Sequence, residues 1–387
     1  MLDRSNGLHT RLIHSEYECD PHTGAASIPI YQATTFAQQS LDHQGPWDYA
    51  RSGNPTRNAL EQTIAGLEGA ARACAFASGM AAITASLMLL QSGDHVLVTR
   101  DCYGGTYRLF NQVLNRFGIE HSLVDTSDLT AVRQALRPNT RAIYVETLSN
   151  PLLYVSDIEA LAEIAHRHGA LLMVDNTMLS PVLQRPLEQG ADLVLHSATK
   201  YMAGHSDVLA GIAAVRTEEL GNRLYFLQNA TGAVLGPMDS WLVLRGLKTL
   251  GVRIRQQEQT ARKLAHWLAE RPEVEQVFYP GLAQHPGHEV ASRQASGYGA
   301  LLSFRLSPEI DSVHFVDHVK LPIIGVSLGS VESIISLPAR QSHAAVPVEE
   351  RQARGIDERL VRLSVGLEDF EDLKEDLSVA LAESRIG

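Results

Sequence analysis

The chain has 387 residues, 44% hydrophobic and 20% charged, a composition that excludes global disorder and, at this length, predicts one larger and one smaller domain. Thirty-three Lys and Arg against forty-four Asp and Glu give a net charge of −11, which argues against nucleic acid as a partner, because a phosphate backbone needs clustered positive charge. Cys19, Cys74 and Cys102 form no C-x-x-C pair, and no apolar run is long enough for a leader or a membrane span, so a cytoplasmic protein without disulfide frame, metal or membrane partner is expected.

The first fifty residues are polar and broken by Gly24, Pro29, Gly45 and Pro46; they predict an extended arm, of the kind that packs on a neighbouring subunit. Asn54-Pro55 reads as an N-cap with proline in the first turn, and Leu60, Ile64 and Leu67 follow at helical spacing before Gly69. From Ala71 to about Val215, apolar β-prone runs alternate with helical stretches. The runs are Ala73–Ala77, His95–Thr99, Ala142–Glu146, Ala170–Asp175, Asp192–His196 and Gly211–Val215, and a helix is predicted over Asp157–His168. This alternation predicts an α/β fold with a parallel sheet and ligands at the strands' carboxyl ends. Beyond about residue 245 come a long basic helix, Arg253–Arg271, strands at Ala300–Leu306 and Leu360–Val365, and a last helix from Glu368 with Phe370, Leu373, Leu377 and Leu381 on one face.

Two strand ends carry the chemistry. Ala170–Asp175 is an apolar strand ending in a carboxylate, which needs a cationic or hydrogen-bonded partner if buried. Asp192–Lys200 repeats the plan and ends in Ser197, Thr199 and an amine. The spacing leaves room for one helix and a return strand, so Asp175 and Lys200 can face one crevice. There a lysine could form a Schiff base while the carboxylate kept a ring nitrogen protonated, as a pyridoxal phosphate site requires. A surface lysine and a helix-capping aspartate would fit the same spacing. The segment Ser78-Gly79-Met80 leads from a small-residue strand into a helix, where free N–H groups suit a phosphate, although an ordinary tight turn has the same signature. Tyr103 could stack on a flat ring or simply pack.

With these residues in place the sequence resembles the pyridoxal-phosphate enzymes of cysteine and methionine metabolism: cystathionine β-lyase, cystathionine γ-lyase, cystathionine γ-synthase and methionine γ-lyase. The likeness runs nearly end to end. It passes through Tyr49-Ala50-Arg51-Ser52-Gly53-Asn54-Pro55, Ser78-Gly79-Met80, Tyr103-Gly104-Gly105-Thr106, Asp175-Asn176-Thr177, Ser197-Ala198-Thr199-Lys200-Tyr201, Gly204-His205-Ser206-Asp207 and Arg362-Leu363-Ser364-Val365-Gly366. Bacterial cystathionine β-lyases of the Bacillus type look most alike. The resemblance implies an aminotransferase-like fold (fold type I), with a mostly parallel seven-stranded sheet in a large domain (51–245), a smaller α/β C-terminal domain (246–387) and the arm at 1–50. It also implies pyridoxal 5′-phosphate as cofactor, carried by Lys200, with Asp175 at its ring nitrogen and Tyr103 over the ring. Ser78, Gly79, Met80, Ser197 and Thr199 would hold the phosphate, joined by Tyr49 and Arg51 from a neighbouring subunit. Asn150 would touch the ring hydroxyl, Arg362 the substrate α-carboxylate, and Ser327 would steady Lys200. The implied assembly is a homotetramer, a dimer of dimers with shared sites. The implied reaction is transsulfuration, most directly β-elimination of L-cystathionine to homocysteine, pyruvate and ammonia. γ-Elimination, γ-replacement or a specialised carbon–sulfur lyase are the alternatives.

Some positions depart from the family's pattern. Leu148 stands where proline is usual, Met178 where phenylalanine is common, Tyr154 at an often basic place, and Gly105 where methionine γ-lyases carry cysteine. Val326 precedes Ser327 where γ-lyases and γ-synthases that handle cystathionine typically have glutamate, which favours β-elimination. Arg340 is unusual and is expected either at the site mouth, favouring an acidic leaving arm, or as a solvated loop residue. Gly325–Gly329 also matches the G-x-S-x-G elbow of serine hydrolases, with His343 and Asp357 downstream as partners for Ser327. His285 and His288 flank a Pro-Gly turn, where a metal is the weaker reading.

Overall fold

The structure is a computed structural model that describes residues 6–14, 19–20, 22–344 and 347–386. Asn54 caps the helix Pro55–Glu68 by accepting from the N–H groups of Thr56 and Arg57, proline occupies the first turn, and Gly69 ends the helix at φ +69°. Its buried Leu60, Ile64 and Leu67 face the core, so a stretch read as a short amphipathic helix is one.

The strands β1 (Arg72–Phe76), β2 (His95–Thr99), β3 (Glu120–Val124), β4 (Thr140–Glu146), β5 (Leu171–Asp175), β6 (Leu193–His196) and β7 (Gly211–Val215) form a seven-stranded sheet ordered β1-β7-β6-β5-β4-β2-β3. Pairings from β3 through β6 are parallel, and β7 runs antiparallel to both β6 and β1. The central strands are buried on both faces, as an apolar run within a parallel sheet must be. A crossover helix, Ile158–Arg167, capped by Asp157, joins β4 to β5. Its consequence is that the carboxyl ends of β4, β5 and β6 lie side by side, with Glu146 in register with Asp175 and Asp175 with Leu195.

β8 (Val274–Phe278), β9 (Leu301–Leu306), β10 (Ile323–Ile324), β11 (Ile334–Ser336) and β12 (Leu360–Ser364) make a smaller five-stranded sheet. The last helix, Phe370–Glu383, buries Leu373, Leu377 and Leu381. The long helix spans Pro237–Ala269, starting well before the expected Arg253. It therefore crosses position 245, where the large domain was expected to pass into the small one. Gly246 hid the helical pattern: a Cβ there would lie 2.4 Å from the carbonyl oxygen of Ala203, so the helix can approach that turn only without a side chain. The arm is not wholly extended either. A short helix, Leu8–Ile13, buries Leu12 in the chain's own core, and the Trp241 indole donates to the carbonyl of Ile28. Part of the expected arm lies outside the described residues. No helix of the described residues is long and apolar enough to cross a membrane.

Candidate active site

A cavity of about 540 Å³ opens at the carboxyl ends of the central strands and reaches the small sheet, a size typical of cofactor sites. Lys200 stands on the turn that follows β6, anchored by its N–H on the Ser197 carbonyl and by reciprocal hydrogen bonds between Thr199 and Ala210. Its ammonium donates to Ser327 Oγ at 2.6 Å. Burial, then the Arg362 guanidinium, holds its pKa down at about 8. Arg253, buried in the long helix, donates to the carbonyls of Tyr201, Met202 and Gly246 and so fixes this turn from behind.

Asp175 ends β5. Its Oδ1 accepts from the N–H and hydroxyl of Thr177, at 3.0 and 2.5 Å, and its Oδ2 from the Tyr144 hydroxyl at 3.3 Å. Thr177 Oγ1 also accepts the Ser197 N–H, which ties the Asp175 strand end to the Lys200 turn. Burial raises the Asp175 carboxyl, and the Thr177 bonds and nearby His196 pull it back. Lys200 and Asp175 thus share the crevice that the strand pattern implied.

The helix Gly79–Leu87 begins at the cavity wall. Ser78 caps it by accepting the Ala81 N–H, and a Cβ on Gly79 would sit 3.0 Å from that of Ser197, so glycine keeps the helix start against the Ser197–Thr199 turn. Tyr103 is 43% exposed over the opening, and its N–H donates to Glu146 Oε1 at 2.6 Å. Arg362, 2% exposed on β12, donates to Asn150 Oδ1 at 3.2 Å and to the Ser327 carbonyl at 2.7 Å, and its Nε has no partner. Burial lowers its pKa to about 10. A buried guanidinium with an N–H to spare suits a carboxylate brought by a ligand. Ser327 itself is held at φ +121°, a strained conformation for a residue with a side chain.

Ser78, Gly79, Met80, Tyr103, Asn150, Asp175, Ser197, Thr199, Lys200, Val326, Ser327 and Arg362 all line this cavity, as do the departures Leu148 and Met178. Gly105 lies just behind: a Cβ there would meet the Tyr103 ring at 2.5 Å and Met80 Sδ at 2.8 Å. Tyr49 and Arg51 are outside it; Arg51 donates to Asn229 and stacks over Tyr49. Of the two readings of Arg340, the solvated loop residue fits the structure and the site mouth does not. Arg340 is 56% exposed, paired with Glu358 at 3.4 Å and not on the cavity wall, because the turn that carries it directs its neighbours Gln341 and Ser342 to the cavity instead.

Sequence reasoning also missed Glu146 and Arg108, both on the wall. Glu146 had the signal that singled out Asp175, an apolar strand ending in a carboxylate; Arg108 sits one helical turn beyond Gly104 and had none. The hydrolase reading is removed by geometry. Ser327 Oγ takes the Lys200 proton donor, His343 Nδ1 meets Ser342 Oγ, and Asp357 pairs with Arg305. His285 accepts the Gly287 N–H and His288 bonds the Pro280 carbonyl, each serving its own turn.

Comparison with known proteins agrees with this arrangement. The family model described as "Cys/Met metabolism PLP-dependent enzyme" matches residues 9–382. The chain belongs to that family. It is 55% identical to the cystathionine β-lyase MetC of Bacillus subtilis over 376 residues, covering 97% of this chain and 96% of that protein. It is 51% identical to the cystathionine γ-lyase of the same organism over 372 residues, covering 96% and 98%. The crystal structure of cystathionine γ-lyase from Lactobacillus plantarum complexed with L-serine superposes with a TM-score of 0.96 at 44% identity, over 97% of this chain and 99% of that one. The protein is therefore a pyridoxal-phosphate-dependent enzyme of transsulfuration, and the cavity residues fit that cofactor: an amine, a hydrogen-bonded carboxylate below, a helix start with hydroxyls beside it, and an aromatic ring at the opening.

Proposed function

We propose that this enzyme is a cystathionine β-lyase, cleaving L-cystathionine to homocysteine, pyruvate and ammonia. Pyridoxal phosphate, when bound, supplies an electron sink for charge developing at the substrate Cα. Lys200 would hold it and, once displaced, act as the base for the Cα proton; an amine depressed to about 8 is partly neutral near neutral pH, as a base must be. Asp175 would face the ring nitrogen, Tyr103 the ring and Asn150 its hydroxyl, while Ser78, Gly79, Met80, Ser197 and Thr199 would receive the phosphate. Arg362 would orient the substrate through its α-carboxylate, with Ser327 steadying both Lys200 and the bound amino acid.

The observation that carries β- over γ-cleavage is the outer wall. Val326 stands there 64% exposed, and Leu148, Met178, Leu209 and Arg108 line the same cavity. A distal ammonium finds no carboxylate at 326; Arg108 suits the distal carboxylate that L-cystathionine carries whichever bond is cut. Product analysis with L-cystathionine decides: pyruvate is expected, 2-oxobutyrate would mean γ-cleavage, and no keto acid without an added thiol acceptor would mean γ-replacement.

The working unit is a homotetramer built as a dimer of dimers. Tyr49 and Arg51, half-exposed and outside their own chain's cavity, would complete a neighbour's phosphate site. A reducing cytoplasm suits three free thiols.

A further inference from the structure

Glu146 ends β4 as Asp175 ends β5, and the two are in register on neighbouring parallel strands. Glu146 is 5% exposed. Its donors are backbone N–H groups on two separate loops: Tyr103, at 2.6 Å, and Asn150. Asn150 in turn receives Arg362. One carboxyl thereby sets the loops carrying the ring-facing Tyr103, the Asn150 amide and, through it, the buried guanidinium.

Two buried carboxyls this close do not both ionise without a cation between them. Facing Glu146 are Tyr144 on its own strand, Asp175 on β5, and Asp101 and Cys102 on the loop after β2, all of them acids; Lys200 and Arg362 line the same cavity. Asp175 is the better placed anion, because it accepts from Thr177 twice and from Tyr144, and feels His196, which is paired with Glu68. We propose that Glu146 is a positioning residue that keeps its proton in the working enzyme, a neutral acid that holds the Tyr103 and Asn150 loops and leaves Asp175 as the single anion beneath the cofactor. Burial and the Asp175 charge push its carboxyl well above the usual range, in the same direction.

The test uses the holoenzyme, its E146Q variant, which is neutral, isosteric and still offers an acceptor oxygen, and Glu146→Leu, which offers none. The wild type minus E146Q infrared difference at neutral pH should show the carbonyl stretch of a protonated carboxylic acid. E146Q should bind pyridoxal phosphate within about threefold of wild type, with the pH midpoint of the visible band and the cofactor's circular dichroism unchanged. Leaving two buried N–H groups without acceptors, Glu146→Leu should change that dichroism and lower kcat/KM by about tenfold or more. A flat infrared difference, a shifted midpoint in E146Q, or an E146Q as impaired as the leucine variant would overturn the assignment. None of these readouts depends on which carbon–sulfur bond is cut.

Discussion

The Lys200 ammonium meets the Ser327 hydroxyl at 2.6 Å across 127 positions of sequence, joining the large sheet's active turn to the small sheet's loop. Ser327 does so at φ +121°, while its carbonyl accepts from Arg362. The strain is thus maintained by contacts on both sides of the residue. Ser327→Gly and Ser327→Ala both lose the hydroxyl, but only glycine relieves the backbone. The glycine variant should be more stable than the alanine variant by about 1 kcal/mol, read from urea midpoints.

Lys200 gives a pH dependence. Its amine is held at about 8, below the lysine value of 10.5, first by burial and then by Arg362. Between those values the unfolded chain binds the proton that the folded chain has released, so stability of the cofactor-free chain should rise with pH across that window; below it the cost of burying the Lys200 ammonium is full and constant, and above it that cost is gone. Lys200→Met should abolish this rise. Urea unfolding of both proteins across the window checks it, and borohydride should fix no pyridoxyl label on the variant.

Arg362 is buried, donates to Asn150 and the Ser327 carbonyl, and keeps Nε unpartnered. Lysine cannot reproduce the planar fork. Arg362→Lys should raise KM for the amino acid roughly 10- to 100-fold, the worth of a charge-assisted pair, with a smaller effect on kcat; steady-state kinetics separate the two.

Arg253 donates to two carbonyls of the Lys200 turn, those of Tyr201 and Met202, and to the Gly246 carbonyl of its own helix. Arg253→Met would leave the Tyr201 and Met202 carbonyls buried without a donor, at about 1–3 kcal/mol each, while Gly246 still accepts from the Thr249 hydroxyl. We expect a loss of about 3 kcal/mol or more in denaturant unfolding, together with weaker cofactor retention on dialysis.

Gly105 has no room for a side chain, since a Cβ would lie 2.5 Å from the Tyr103 ring. Gly105→Cys, the residue that resembles methionine γ-lyases, should tilt that ring. The visible circular dichroism of the holoenzyme should fall and its cofactor dissociation constant rise, with unfolding little affected because Tyr103 is half exposed.

What could be read from the chain alone were the features written locally. Apolar runs gave β1, β2 and β4 to β7, since a strand buried on both faces must be continuously apolar. The edge strands β3 and β8 escaped because each is half exposed and mixed in composition. Asp175 and Lys200 were legible as polar ends of apolar strands. Only the tertiary structure decided what else meets them: Ser327 and Arg362 arrive from the small sheet, Glu146 acquires its role from a neighbour one strand away, and Arg340 turns outward to Glu358. Burial and charge depend on which segments pack together, and spacing along a single chain does not contain that information.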